Sequence, residues 1–322
     1  MKRNVLIFLI LVAANCNSKK NEGYVKRTAI VMGTVVNIEV PKSQVAAADS
    51  ALQAFSLVDS LMSPVKESSD LAMINSHSGE WVKVSDLTVR CIKKALEIAE
   101  LTDGAFDPTA GVLVHLWHFD VESGWQVPES SKVESLLNFV DYKSIKVDGD
   151  SVKLANGQRI DLGGIAKGFA IDLAVDRLRR AGVRSAIVDA GGDLFLVGEN
   201  MSGRAWRVGI RDPIDKKRVL MVIKVKDRSV CTSGNYERFI EIGGVKYSHI
   251  FDPRTGWPVR GVLSTTVVGK DAATTDALAT AIFVLGPQKG IRLIESLKDF
   301  ECMIVTQDSI YMTQGFRELV EE

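Results

Sequence analysis

Ile160-Asp161-Leu162-Gly163-Gly164-Ile165-Ala166-Lys167-Gly168 joins two kinds of pattern. Before it, residues 144–162 read as short strands, with turn signals at Asp148-Gly149 and Asn156-Gly157. After it, a long helix is predicted from about Gly164 to Ala181, closed by Gly182. Residues 185–197 then return to a strand pattern. Hairpin strands beside isolated helices, with no regular βαβ alternation, argue for an α+β fold. Mixed or antiparallel sheets with packed helices are expected, and a doubly wound parallel sheet is not.

The same stretch is a first candidate site. A strand is expected to end at Asp161, two glycines turn the chain, and a helix starts. Glycines let backbone approach a ligand, and a helix N-terminus offers free N–H groups that suit phosphate. Lys167 adds a full charge there. The order is neither Gly-Lys-Ser/Thr nor GxGxxG. A plain strand-to-helix turn explains the glycines equally well.

Working towards the N-terminus, Ser131–Val140 is predicted as a short helix and residues 118–130 as an irregular surface loop. A helix is capped at Ser85, runs through Leu87, Cys91, Ala95 and Ala99, and stops near Gly104. Another carries Val45, Ala48, Leu52, Phe55, Val58 and Met62 on one face. Residues 28–40 alternate as a single strand. Towards the C-terminus, strands are expected at 206–211, 219–226, 239–242, 262–268 and 303–306, with a helix at 274–285.

The extreme N-terminus reads as an address. Lys2 and Arg3 precede an apolar run, residues 5–14, too short to span a membrane and suited to a signal h-region. It ends at Ala13-Ala14-Asn15-Cys16, which resembles a bacterial lipobox, with Cys16 the lipidated residue. Residues 1–16 are read as a signal peptide, 17–27 as a tether and 28–322 as the folded domain. Cys91, Cys231 and Cys302 are far apart with no CxxC pairing, so a zinc site is not expected; Cys91 and Cys302 fall in apolar segments and should be core thiols. Forty basic residues balance forty acidic ones without a polycationic stretch, which argues against a nucleic-acid partner.

Three further segments carry chemistry. Asp276 and Thr280, four apart on a predicted helix, face the same way, and two oxygen donors suit Mg²⁺. A first-turn aspartate complementing the helix dipole is the structural alternative. His249, in Tyr247-Ser248-His249-Ile250-Phe251-Asp252-Pro253-Arg254-Thr255-Gly256, ends an alternating strand before a turn, where an imidazole can take a proton. Thr102-Asp103-Gly104-Ala105-Phe106-Asp107-Pro108-Thr109 reads both as a rigid loop able to hold an aromatic ligand and as a helix end followed by a new start, with Asp107 as N-cap and Pro108 at N1.

Taken in order, these segments resemble the ApbE family, the FAD:protein FMN transferases. Met32-Gly33-Thr34, the Met62-Ser63 to Asn75 segment, Asp189-Ala190-Gly191-Gly192-Asp193, Thr232-Ser233-Gly234 with Tyr236, and Ser248-His249-Ile250 join the set. The resemblance runs from Met32 to the C-terminus. It implies two lobes with a flavin site in the cleft between them. Met32, Ala105, Phe106, Asp107, Asp161, Lys167 and Ile250 would line the FAD site. The carbonyl of Gly164 with Asp276 and Thr280 would hold Mg²⁺, and His249 or Asp276 would serve as general base. The implied reaction moves FMN from FAD to a Ser or Thr hydroxyl of an exported redox protein and releases AMP. The enzyme would face the periplasm, anchored to a membrane by its lipid. One position departs from the family: Val65 stands where members often carry an aromatic residue that can cover the flavin. Two other functions therefore compete, an FAD pyrophosphatase giving FMN and AMP, and a non-catalytic FAD-binding lipoprotein.

Overall fold

A computed structural model describes residues 23–117, 127–215, 217–236, 239–242 and 244–322. The signal peptide, Cys16 and most of the 118–130 loop lie outside the described residues. The centre is one antiparallel sheet of eight strands. They are β1 (Tyr24–Val31), β2 (Thr34–Pro41), β3 (Ser185–Ala190), β4 (Asp193–Gly198), β5 (Arg228–Gly234), β6 (Val262–Gly269), β7 (Glu301–Thr306) and β8 (Ile310–Met312). In space they lie side by side in chain order. The other described elements are inserted between neighbours of this meander, except the last helix, which follows β8. The α+β class is as expected.

Among the described residues, eight α-helices accompany the sheet: α1 (Val45–Met62), α2 (Asp70–Ser76), α3 (Asp86–Leu101), α4 (Gly111–Trp117), α5 (Ser130–Leu137), α6 (Ala166–Arg180), α7 (Ala272–Glu295) and α8 (Gln314–Leu319). The first six are inserted between β2 and β3, α7 between β6 and β7. Ser85 caps α3 by accepting from the Thr88 amide, as its sequence suggests. Gly286, at φ 72°, and Pro287 kink α7.

The sheet is buried on both faces, and side-chain alternation sorts the residues. Val188, Phe195 and Val197 face α1, α3 and α6. Cys231, Val267, Cys302 and Ile304 pack with Leu278, Ile282 and Phe283 of α7. Ile187, Leu194, Leu196, Val230, Val268 and Met303 point the other way, to Phe316 of α8 and a hairpin of Trp206–Arg211 with Val219–Val225. Strands covered on both faces read as apolar runs, as β4 does. Cys91, Cys231 and Cys302 are buried free thiols.

Three expectations are corrected. The single strand at 28–40 is a hairpin: Met32 and Gly33 form a two-residue turn with φ of 54° and 69°, pairing Val31 with Thr34. The apolar alternation continued through the turn and hid it. β1 begins at Tyr24, so the last four residues of the expected tether lie in the sheet. Ile160-Asp161 is not a strand. Within 144–162 only Lys146–Asp148 and Ser151–Lys153 pair, with each other and with Val82–Lys83. Ile160 is instead clamped by the Asn75 side chain, which receives the Ile160 amide at 2.8 Å and donates to its carbonyl at 2.9 Å.

Candidate active site

Phe106, Asp107 and Asp161 are brought together by two loops that run side by side. Gly104, at φ 72°, closes α3, and Asp107 restarts the chain by accepting from the Thr109 amide and hydroxyl, with Pro108 next. The helix end at Gly104 and the new start at Asp107-Pro108 are as the sequence suggests. The second Asp107 oxygen accepts from the Tyr142 amide, while burial raises its carboxyl above the ordinary range. The Asp161 amide donates to the Pro108 carbonyl at 2.8 Å, and its side chain accepts from the Gly163 amide at 2.7 Å.

Past Asp161 the chain reaches Gly164, where space is the constraint. A β-carbon there would stand 3.1 Å from the Phe106 ring and 3.4 Å from the Thr280 hydroxyl. Gly164, Phe106 and Thr280 therefore converge. Four residues on, Gly168 lies against the start of α7: a β-carbon would sit 2.2 Å from the Ala272 carbonyl oxygen. Only glycine lets α6 and α7 meet so closely.

That approach fills the helix N-terminus expected to bind an anion. The Asp276 carboxylate accepts from the Gly168 amide at 3.0 Å. Lys167 Nζ lies 3.3 Å from each Asp276 oxygen and 2.8 Å from Asp193 Oδ2. Asp276 follows the N-cap Asp271 by five positions, so it belongs to the second turn of α7 and not the first. Its role is not dipole capping. Burial raises its carboxyl, the Lys167 ammonium opposes the rise, and Asp193 reinforces it.

β5 ties this cluster to the sheet. The Thr232 amide donates to Asp193 Oδ1 at 3.1 Å, and the Ser233 hydroxyl lies 3.3 Å from that of Thr280. Met32, in the β1–β2 turn, is half-buried and packs against the main core. Gly191 bonds back to Val35 across that end of the sheet. A positive φ at methionine is uncommon and marks this turn as a constrained position.

His249 is carried differently. It follows a short hairpin of Phe239–Ile242 with Val245–Ser248 and precedes a smaller one of Phe251–Asp252 with Trp257–Pro258. Its neighbours Tyr247 and Phe251 pack on Trp117, ring centroids 5.7 Å away in both cases, and Trp257 lies 5.5 Å from the same indole. Trp117 Nε1 donates to the Gly256 carbonyl. The expected Asp252–Gly256 turn is present, with Gly256 at φ 75°. Ile250 reaches the main body, packing with Ala105, Leu278 and Ala279. Those last two residues lie between Asp276 and Thr280 on α7.

Asp193, Ser233 and Asn75 received no role in the sequence. Their signal was membership of the ordered motifs, and buried polar side chains there needed partners elsewhere.

The family model for the ApbE family matches residues 32–304. The chain belongs to the ApbE family. It is 33% identical to the FAD:protein FMN transferase of Vibrio cholerae serotype O1, over 98% of this chain and 96% of that one. The crystal structure of the ApbE protein from Thermotoga maritima superposes with a TM-score of 0.88, at 36% identity, covering 93% of this chain and all of that one. The flavin transferase ApbE from Vibrio cholerae, as a solved structure, gives 0.85 at 29% identity, covering 93% of this chain. ApbE relatives thus share its whole fold and not a fragment.

Mg²⁺ is tested by the donors present. Among the described residues, no group of three or more His, Cys, Asp or Glu side chains could hold a metal. The expected set is of another kind: one buried carboxylate, one hydroxyl and one backbone carbonyl. All are hard oxygen donors, and Gly164 and Thr280 adjoin each other four residues from Asp276 along α7. That chemistry fits Mg²⁺, which retains water and shares its shell with substrate phosphate.

Proposed function

We propose that this chain is an FAD:protein FMN transferase, moving FMN from FAD to a Ser or Thr hydroxyl of an exported acceptor protein and releasing AMP. The observation that carries this is the convergence of Lys167, Asp276, Thr280, Gly164 and Phe106 at the meeting of α6 and α7, in a chain of the ApbE family. Asp276, Thr280 and the Gly164 carbonyl would hold Mg²⁺, which would supply charge neutralisation to the pyrophosphate of FAD. Met32, Ala105, Phe106, Asp107, Asp161 and Ile250, with Lys167, would receive the dinucleotide.

In the reaction, the acceptor oxygen forms a bond to the FMN-side phosphorus. The bond from that phosphorus to the bridging oxygen breaks, and AMP leaves with the electron pair. The hydroxyl proton passes to His249. A carboxylate already engaged by Lys167 and a backbone amide is a poor base, which favours His249 over Asp276.

Hydrolysis of FAD to FMN and AMP is the second reading. Val65 is 80% exposed, so an aliphatic side chain stands open where an aromatic cover is expected. Storage without turnover is disfavoured, because binding alone needs no metal-ligating pair.

The cysteine at position 16 supports a lipid-anchored, periplasm-facing enzyme. Cys16→Ser is expected to move the chain from the membrane to the soluble fraction; retention in the membrane would contradict the anchor. Incubating the enzyme with FAD, Mg²⁺ and an acceptor tests the function. The acceptor should gain the mass of one FMN. Equal release of FMN and AMP with and without acceptor would make the enzyme a hydrolase.

A further inference from the structure

We propose that Asp193 is a positioning residue that draws the Lys167 ammonium off Asp276, leaving that carboxylate open to a divalent cation. This rests on the proposal that Asp276 holds Mg²⁺.

Asp193 and Asp276 share one ammonium, and they share it unequally. Lys167 Nζ stands 2.8 Å from Asp193 Oδ2 and 3.3 Å from both Asp276 oxygens. Asp193 is the closer seat. Both carboxylates are almost completely buried, with side chains 7% and 5% exposed, whereas Lys167 is 30% exposed. The acids are therefore fixed features of the wall, and the long lysine side chain is the part with freedom to shift.

Asp193 is fixed from two sides. It opens β4 directly after the Gly191-Gly192 turn, at φ of 68° and 102°. Its other oxygen is held by the Thr232 amide. Thr232 precedes Ser233, whose hydroxyl meets that of Thr280. One strand, β5, thus sets the lysine's second seat and the hydroxyl of the metal set together.

The need for a second seat follows from charge. An ammonium and a divalent cation on one carboxylate repel each other, and the repulsion is strong where water is excluded. Without the Asp193 charge, Asp276 is the carboxylate beside which the Lys167 ammonium stands. The ammonium would then compete with the metal for the same oxygens. With Asp193 as its second seat, Lys167 can stay near the phosphates of the substrate while Asp276 is released.

The test uses the full chain in detergent with saturating FAD and no acceptor. The readout is the Mg²⁺ concentration at half-maximal rise in melting temperature. Asp193→Asn keeps the shape and the Thr232 bond and removes the charge; its half-point should rise about tenfold. Asp193→Glu should stay within about threefold of the wild type, because it keeps the charge. In the double variant Asp193→Asn with Lys167→Gln, the competing cation is gone, and the half-point should fall back towards that of Lys167→Gln alone. A merely structural role would lower the melting temperature without moving the Mg²⁺ half-point, and that result would overturn the proposal. So would a shift that persists undiminished in the double variant. Asp276→Asn separates this failure from failure of the metal proposal: an unchanged Mg²⁺ half-point in that variant would overturn both.

Discussion

The two parts of the proposed active site are built in contrasting ways. Lys167, Asp193, Asp276 and Thr280 hang on the main sheet and on two helices whose backbones touch at Gly168 and Ala272. His249 hangs on short hairpins outside that sheet, held by rings around Trp117. The first part is fixed by polar bonds to β5 and by close backbone packing. The second is fixed by an aromatic satellite cluster. The end that would grip pyrophosphate and metal is thus the rigid one. The end that would meet a protein acceptor sits on elements that can be altered without disturbing the sheet.

The sharpest way to break this contrast is to strike each part alone. Asp276→Ala should lower FMN transfer about a thousandfold, roughly 4 kcal/mol of barrier, while circular dichroism reports a folded chain. Activity within tenfold of the wild type would remove Asp276 from the chemistry. Trp117→Ala should destabilise the chain by about 3 kcal/mol, the usual cost of emptying a large buried site, while leaving Mg²⁺ binding intact. A weakened Mg²⁺ response in that variant would show that the two parts are one unit. His249→Ala should slow transfer on the order of a hundredfold with FAD affinity unchanged. Equal losses in FAD binding and in rate would make the histidine a binding group.

The smallest effect concerns pH. Asp172 accepts from the Ala272 and Ala273 amides at the start of α7, and burial pushes its carboxyl up to about 7. The folded chain therefore holds this proton to a higher pH than the unfolded chain does. Stability from this group is full below the ordinary carboxylate range and is lost as pH rises from there through about 7. Asp172→Asn should flatten that decline in melting temperature and cost about 1 kcal/mol at low pH. A variant with the wild-type slope would assign the pH dependence to another group.

The sequence told more about local elements than about their meeting. The helix of Ser85 and the Asp107-Pro108 start were legible because capping is written in adjacent residues. β5 was not. Its Thr232 and Ser233 are polar and its neighbours come from distant segments, so no alternation marked it. The Met32-Gly33 turn was hidden because methionine is not a turn residue. Ile160-Asp161 continued the apolar-polar alternation of a strand, yet the partner of Ile160 is the Asn75 side chain. In the site, Asp276 and Thr280 were legible as a helical pair. The meeting of Asp276 with Lys167 spans 109 positions and depends on Gly168, a packing relation that spacing cannot express. The ordered motifs of the ApbE family bridged that gap where physics on single segments did not.

The central claim is that flavin is transferred to protein, and intact-mass spectrometry of the acceptor tests it most directly. With FAD and Mg²⁺ the acceptor should gain the mass of one FMN, AMP should appear in equal amount, and Asp276→Ala should abolish both. Intact FAD and an unchanged acceptor in every reaction, with an acceptor that a Vibrio cholerae flavin transferase modifies under the same conditions, would contradict the account.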